Sequence, residues 1–278
     1  MDHPASGDRA MIEVLEVSKR FGKKPAVNHL TLRINRGEFF AFLGPNGAGK
    51  TTTIKMMTGL LRPTAGHLRV AGFDIQGQPR EAKSRIGYVP DQPFLYENLT
   101  AVEHLRFVAR LFRVPTEVTE ERIELWLKTF RLEDQAGDPI GSFSHGMRQK
   151  VVFASALLHR PDVYVIDEPM VGLDPASARL VKDILREECR RGATVFLSTH
   201  TLSVAEELAD RIGIIHQGRL LACGGMADLQ RESKTAKSGL EDVFLALTAD
   251  GPAEPDEAGG DRNVIRIEGG PRRIGTGD

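Results

Sequence analysis

The segment Gly44-Pro45-Asn46-Gly47-Ala48-Gly49-Lys50-Thr51 constrains this chain more than any other feature. It follows a continuous apolar run, Phe39 to Leu43, that reads as a strand buried on both faces. It opens a stretch that reads as a helix from Gly49-Lys50-Thr51 to about Thr58, stopped by Gly59 with Pro63 soon after. A G-x-x-x-x-G-K-[ST] spacing between a buried strand and a helix is the pattern of a phosphate cradle. Its glycines let the backbone wrap closely, so that N–H groups converge on phosphate oxygens. The helix that follows adds the positive end of its dipole. Lys50 would set its ammonium on the β and γ phosphates of ATP, and the Thr51 hydroxyl would ligate Mg²⁺. Thr52 is counted with Gly44 to Thr51 among the nucleotide-binding residues. A Gly-rich turn with no ligand is the plain alternative, and the strand-to-helix setting argues against it.

The rest of the pattern builds a fold around that loop. Ile12 to Val17 and Leu30 to Ile34 alternate apolar and polar residues, which predicts half-buried strands joined at Lys23-Lys24-Pro25. Further strands are expected at Leu68 to Val70 and Arg85 to Val89. From Thr100 to Phe130 the spacing turns helical, through Val102, Leu105, Val108 and Leu111, then Ile123, Leu125 and Leu127. Thr100 followed by Glu103 reads as a capping box. This block carries no strand signal and reads as an inserted subdomain. Ser144 opens another helix, with Met147, Val151 and Leu158 along one side. Strands return at Val163 to Ile166, Val195 to Ser198 and Arg211 to His216, and Gln217-Gly218 turns into Arg219 to Ala222. Strands alternating with helices over the core predict a mainly parallel sheet covered on both faces; the fold class expected is α/β, a P-loop NTPase core with an N-terminal antiparallel β subdomain and an inserted α-helical subdomain. The expected division is one ATPase domain over 11–247, with a core of 11–90 and 156–230 and a helical subdomain of about 91–155. A flexible tail is expected over 248–278, rich in Gly, Pro, Asp and Glu, with one apolar patch at Val264-Ile265-Arg266-Ile267 as a candidate docking segment.

Composition decides what such a fold can work on. At 278 residues the chain has room for one well-buried domain. Its net charge is −1 with basic residues scattered, so nothing calls for nucleic acid as a partner. Two cysteines, Cys189 and Cys223, have no metal-like spacing, and a reducing cytosolic compartment is expected. Met1 to Ala10 lack the apolar core of a signal peptide. The apolar runs, such as Val151 to Leu158, fall short of the ~20 residues needed to cross a bilayer. Work at a membrane would therefore need another chain to provide the span.

A second component is the apolar strand ending in acid, Val163-Tyr164-Val165-Ile166-Asp167-Glu168. A buried strand would deliver Asp167 to the sheet's carboxyl edge, where it can hold Mg²⁺ directly or through water. Glu168, the next carboxylate, is placed to take a proton from an attacking water.

With these pieces in order, the chain resembles the ATP-binding cassette (ABC) ATPases over about residues 11 to 225. Asp167-Glu168-Pro169, Gly172-Leu173-Asp174-Pro175 and then His200 after the strand Thr194 to Ser198 match the family's ordered motifs. The family's signature, L-S-G-G-Q followed by R-Q-R, is matched by Phe143-Ser144-His145-Gly146-Met147-Arg148-Gln149-Lys150. Ser144, Gly146, Arg148 and Gln149 agree; His145 and Met147 depart.

The resemblance implies a homodimer formed on ATP binding, with two cassettes head to tail. Ser144 and Gly146 at the signature helix would meet the γ-phosphate held by the other copy, and Asp174 would cross the interface. His200 is implied to reach the γ-phosphate and hold the attacking water. Phe21 falls at the adenine-stacking place. The Q-loop is implied at Tyr88-Val89-Pro90-Asp91-Gln92, where either Asp91 or Gln92 would reach Mg²⁺ or water. The partner implied is a transmembrane permease subunit contacting the helical insert, which places the chain at the cytoplasmic face of the membrane. The signature, Pro90-Asp91 and Leu240-Glu241-Asp242-Val243-Phe244 resemble the drug, antibiotic and lipid exporter branch. Two rivals stand beside this reading. A soluble cassette ATPase acting on ribosomes or DNA usually carries paired cassettes or a long coiled-coil insertion, and neither is present. A GTP-binding switch should show N-K-x-D, and no Asn begins one.

Overall fold

The computed structural model of the chain describes residues 10–170, 172–233 and 239–249. The expected tail from 250 onward, with the apolar patch at 264–267, lies outside these residues. Strands β1 (Ala10–Phe21) and β2 (Lys24–Asn35) form an antiparallel hairpin turned at Gly22-Lys23. Lys24 and Pro25 therefore belong to a strand and not to the expected loop. Pro25 is tolerated there because β2 lies at the sheet edge, where a missing N–H breaks no ladder. With β4 (Ala65–Val70) and the short β5 (Phe73–Asp74) they make a four-stranded sheet in the order β2-β1-β4-β5. All its pairings are antiparallel.

The larger sheet has six strands in the order β10-β9-β3-β8-β7-β6. Here β3 is Phe39–Leu43, β6 Ile86–Val89, β7 Val163–Asp167, β8 Thr194–Thr199, β9 Arg211–His216 and β10 Arg219–Gly224. Strands β9, β3, β8, β7 and β6 run parallel, and only β10 returns antiparallel. Both faces are covered, which is why β3, β7 and β8 read as unbroken apolar runs and not as alternating ones. On one face Phe40, Phe42, Val165 and Phe196 pack with Ile54, Met56 and Met57 of helix α1 (Lys50–Met57) and with the small sheet. On the other, Val89, Ile166, Val195 and Leu197 join the core of the helical segment.

That segment contains α3 (Ala101–Leu111) and α4 (Thr116–Thr129), preceded by a short α2 (Pro79–Ser84) with proline in its first turn. The capping box forms as expected: Glu103 N donates to Thr100 Oγ1 at 3.2 Å, and Thr100 N donates to Glu103 Oε2 at 2.9 Å. Leu105, Val108, Ile123 and Leu127 pack against Val151 and Phe153 of α5 (His145–Leu158). Because α5 runs unbroken through residue 155, one apolar cluster continues from the insert into the sheet. Helices α6 (Pro175–Arg190), α7 (Leu202–Leu208), α8 (Met226–Glu232) and α9 (Leu240–Ala249) complete the order.

Register positions the site. Leu43 pairs with Thr199, Asp167 with Ser198, and Val89 with Ile166. Four neighbouring parallel strands thus end level, and the segments Gly44, Asp167-Glu168, Thr199-His200 and Pro90-Asp91 emerge along one carboxyl edge. In open α/β sheets this edge is where ligands bind.

Candidate active site

The loop after β3 is drawn around its own lysine. Lys50 Nζ donates to the carbonyl oxygens of Gly44 at 2.7 Å and Pro45 at 3.3 Å. Gly49 holds φ 111°, and a methyl group there would sit 2.6 Å from the Ala26 carbonyl oxygen, so only glycine fits. The turn between β9 and β10 supports the loop from outside, since Gly218 N donates to Ala48 O at 2.8 Å. Lys50 is buried, and burial lowers its pKa even though the Glu168 and Asp167 charges act to raise it. Asn46, Gly47 and Thr51 face outward, leaving the backbone and the Thr51 hydroxyl accessible.

The acidic strand end lies beside this loop. Asp167 is 1 % exposed, and Ser198 Oγ donates to its Oδ1. Its second oxygen, Oδ2, is buried with no partner among the described residues. A buried carboxylate oxygen left without a donor is costly unless a cation or water meets it. Glu168 adopts φ 47°, a left-handed backbone uncommon outside glycine, which turns its side chain out of the strand direction. Its Oε1 meets His200 Nδ1 at 2.7 Å and lies 3.8 Å from Lys50 Nζ, and Thr199 Oγ1 donates to Oε2 at 3.4 Å. The His200 tautomer that donates in this contact carries its proton on Nδ1. Glu168, Met170, Thr199, His200 and Val204 line a pocket at this edge. Lys50, Asp167, Glu168 and His200, read from separate stretches of sequence, are therefore one cluster.

A second cluster forms elsewhere on the same chain. Ser144 caps α5, its Oγ accepting from Met147 N at 3.3 Å. His145 and Gly146 in the first turn of α5 lie against Gly172. Asp174 caps α6, accepting from Ser177 N at 2.9 Å and from Ser177 Oγ at 2.5 Å, and these bonds hold its pKa below the usual aspartate value. Lys150 Nζ stands 3.9 Å from Asp174 Oδ2. Among the described residues no hydrogen bond or ion pair joins this cluster to the first. Within the described residues these are two separate clusters.

The remaining expected residues are peripheral. Phe21 ends β1 with its ring 54 % exposed and Lys19 Nζ 5.3 Å above it, so a flat apolar face is presented and not packed. Asp91 and Gln92 are exposed in the loop after β6. Burial pushes the Tyr88 hydroxyl up to about 12, with the Asp167 and Asp91 charges adding to it. Sequence reasoning missed Ser198, Thr199 and Lys150. The first two had a signal, since polar residues closing an apolar strand just before His200 are unusual; Lys150 had none.

Magnesium is tested by the donors present. Among the described residues no group of three His, Cys, Asp or Glu side chains could cage a metal. One unpartnered buried carboxylate oxygen and an exposed hydroxyl fit an ion that keeps waters and shares phosphate oxygens.

Known proteins resemble the chain throughout this region. The family model described as ABC transporter matches residues 27–171. A Nod factor export ATP-binding protein I of Ralstonia nicotianae is 38% identical over 221 residues, 80% of this chain and 69% of that protein. A linearmycin resistance ATP-binding protein of Bacillus subtilis is 37% identical over 241 residues, 84% of this chain and 78% of that one. Among solved structures, a dimeric post-hydrolysis state of an ATP-binding cassette bound to ADP and Pi superposes with TM-score 0.71 at 26% identity, covering 78% of this chain and 99% of that chain.

Proposed function

This chain belongs to the ABC transporter ATPases, and from that premise we propose that it closes as a homodimer on Mg-ATP and powers export through a separate permease chain. The observation that carries the reading is the division of the site. Lys50, Asp167, Glu168 and His200 share one sheet edge, while Ser144, Gly146 and Asp174 form a cluster with no bond to it among the described residues. Two copies set head to tail would bring one cluster of each kind to a shared nucleotide.

In that arrangement the cradle backbone and Lys50 bind the triphosphate. Thr51 and Asp167, with Asp91 or Gln92 from the loop after β6, would hold magnesium. When bound, magnesium supplies positive charge against the phosphate oxygens as charge spreads in the transition state. Glu168 Oε1 or Oε2 accepts the proton of the attacking water, and His200 orients Glu168 through the Nδ1 bond. The N-terminus of α5, capped by Ser144, turns its free N–H groups toward the partner's γ-phosphate. Closure excludes bulk water, and hydrolysis removes the γ-phosphate that holds the halves together. The adenine ring stacks on the exposed face of Phe21.

The helical insert, about residues 91–155, is the surface proposed for the permease. Phe94 is 83 % exposed, and Tyr96 and Phe107, ring centroids 5.4 Å apart in an edge-on pair, line a concavity with Leu99. Exposed aromatics in a concavity mark protein contacts more often than solvent faces. Among the described residues no helix is long and apolar enough to cross a membrane; in this reading the permease supplies the span, and the chain works against it at the cytoplasmic membrane face. The relatives are named for export and resistance, which favours the transporter reading over ribosome or DNA work. The test is affinity purification of the full chain from detergent-solubilised membranes. A stoichiometric polytopic membrane protein is expected. Recovery with ribosomes, or with no membrane protein, contradicts the reading.

A further inference from the structure

We propose that His145 is a positioning residue that pins the Gly172–Asp174 segment to the first turn of α5. The two pieces that one copy would offer to its partner's nucleotide then move as a single unit. The inference rests on the head-to-tail dimer proposed above and concerns how each half of it is prepared.

Three contacts, all from one end of α5, carry it. The His145 imidazole fills the space into which a side chain at position 172 would project: a methyl group on Gly172 would overlap Cδ2 and lie 2.7 Å from Nε2. Gly172 also holds φ 80°, a conformation that glycine alone adopts freely. One residue on, a methyl group at Gly146 would sit 3.0 Å from the Gly172 carbonyl oxygen, so the segment's backbone lies directly against the helix. One turn further along α5, Lys150 Nζ is 3.9 Å from Asp174 Oδ2. Asp174 is itself tied to the start of α6 through Ser177. His145 is exposed, so it is not a core residue whose burial would explain its place.

The physical consequence is preorganisation. A segment that crosses to another subunit loses freedom on docking, and that loss is smaller if the segment is already fixed. Glycine at the histidine position would leave the space beside Gly172 empty. The histidine that departs from the family's usual signature thus has a local role: it fits against a glycine in a second motif.

A double-mutant cycle on the full chain tests this, with His145→Gly, Gly172→Ala and the pair. Steady-state ATPase activity, the closed-dimer fraction in a Glu168→Gln background, and the affinity of the single chain for a fluorescent ATP analogue are the readouts. His145→Gly is expected to lower kcat by about fivefold or more with KM within about twofold, because docking and not nucleotide capture is affected. Gly172→Ala is expected to lower kcat by about tenfold or more, from both backbone strain and the clash with the imidazole. Removing the imidazole relieves the clash, so the double variant should exceed the product of the two single effects by about threefold or more. The closed-dimer fraction should follow the same order while nucleotide affinity stays unchanged. Effects that multiply, or a His145→Gly enzyme within about twofold of the parent in kcat, overturn the proposal. His145→Gly brings in no new side chain at an exposed site, and His145→Ala, which keeps the helix propensity, should match it; both report even if Gly172→Ala misfolds. Should Glu168→Gln alone dimerise on ATP while the cycle proves multiplicative, this inference fails and the dimer reading stands. Should Glu168→Gln never dimerise, the dimer reading itself fails.

Discussion

Replacing Lys50 with alanine gives the sharpest view of what the cradle does, because the structure shows what the ammonium touches before any nucleotide arrives. Its Nζ already donates to Gly44 O and Pro45 O and lies 3.8 Å from Glu168 Oε1. Binding therefore exchanges carbonyl partners for phosphate oxygens, and only the surplus counts toward affinity. A hydrogen bond to a charged group contributes about 1.5–3 kcal/mol, so two bonds to the β and γ phosphates would give about 3–6 kcal/mol if nothing were surrendered. Surrender of the two carbonyl bonds takes back about a third to a half of that, leaving about 1.5–4 kcal/mol, or roughly 10- to 1,000-fold in Kd. A further term has the same sign: without the ammonium, Asp167 and Glu168 stand uncompensated beside an incoming polyanion. Titration calorimetry of Lys50→Ala against ATP, with the melting temperature as a folding control, measures the loss. A folded variant whose Kd lies within about threefold of the parent would refute the assignment of this lysine to the phosphates.

Two other outcomes follow from the same structure. Gly49→Ala should abolish nucleotide binding, since the left-handed backbone alone costs about 1–2 kcal/mol and the methyl group collides with the Ala26 carbonyl at 2.6 Å; measurable binding at parental affinity contradicts this. Burial pushes the His159 imidazole, stacked 3.8 Å from Phe112, down to about 4, so the unfolded chain takes up a proton that the folded one refuses. Its contribution is complete above about pH 6.5 and is lost as pH falls from there toward 4, by roughly 2–3 kcal/mol at pH 4.5. Urea unfolding at pH 7.5 and 4.5 should show a smaller acid loss for His159→Phe than for the parent, and equal losses count against the assignment.

What was legible in the sequence was what local rules dictate. Phe39 to Leu43 and Val163 to Asp167 are continuous apolar runs closed by glycine and by acid, and they form β3 and β7 with their ends on one edge. Thr100 with Glu103, and Ser144 before Met147, set helix starts through bonds only a few residues long, and both form. Helix α6 carried signals that went unread: Asp174 as cap, Pro175 in the first turn, then Val181 and Leu185 on the buried side. The two-residue β5 and six-residue α2 are too short for periodicity to register. Features set only by tertiary folding had no trace in the chain: the left-handed backbone of Glu168, the approach of Lys150 to Asp174, and the imidazole of His145 against Gly172.

The most direct measurement is the mass of the Glu168→Gln protein in solution. That variant keeps the side chain's size and removes the carboxylate proposed to accept the water's proton, so bound ATP should persist between two copies. With Mg-ATP, light scattering coupled to size exclusion should give twice the 30.6 kDa chain mass, and with Mg-ADP the single-chain mass. A species that remains at the single-chain mass under saturating Mg-ATP, in isolation and together with the purified permease, would contradict the account.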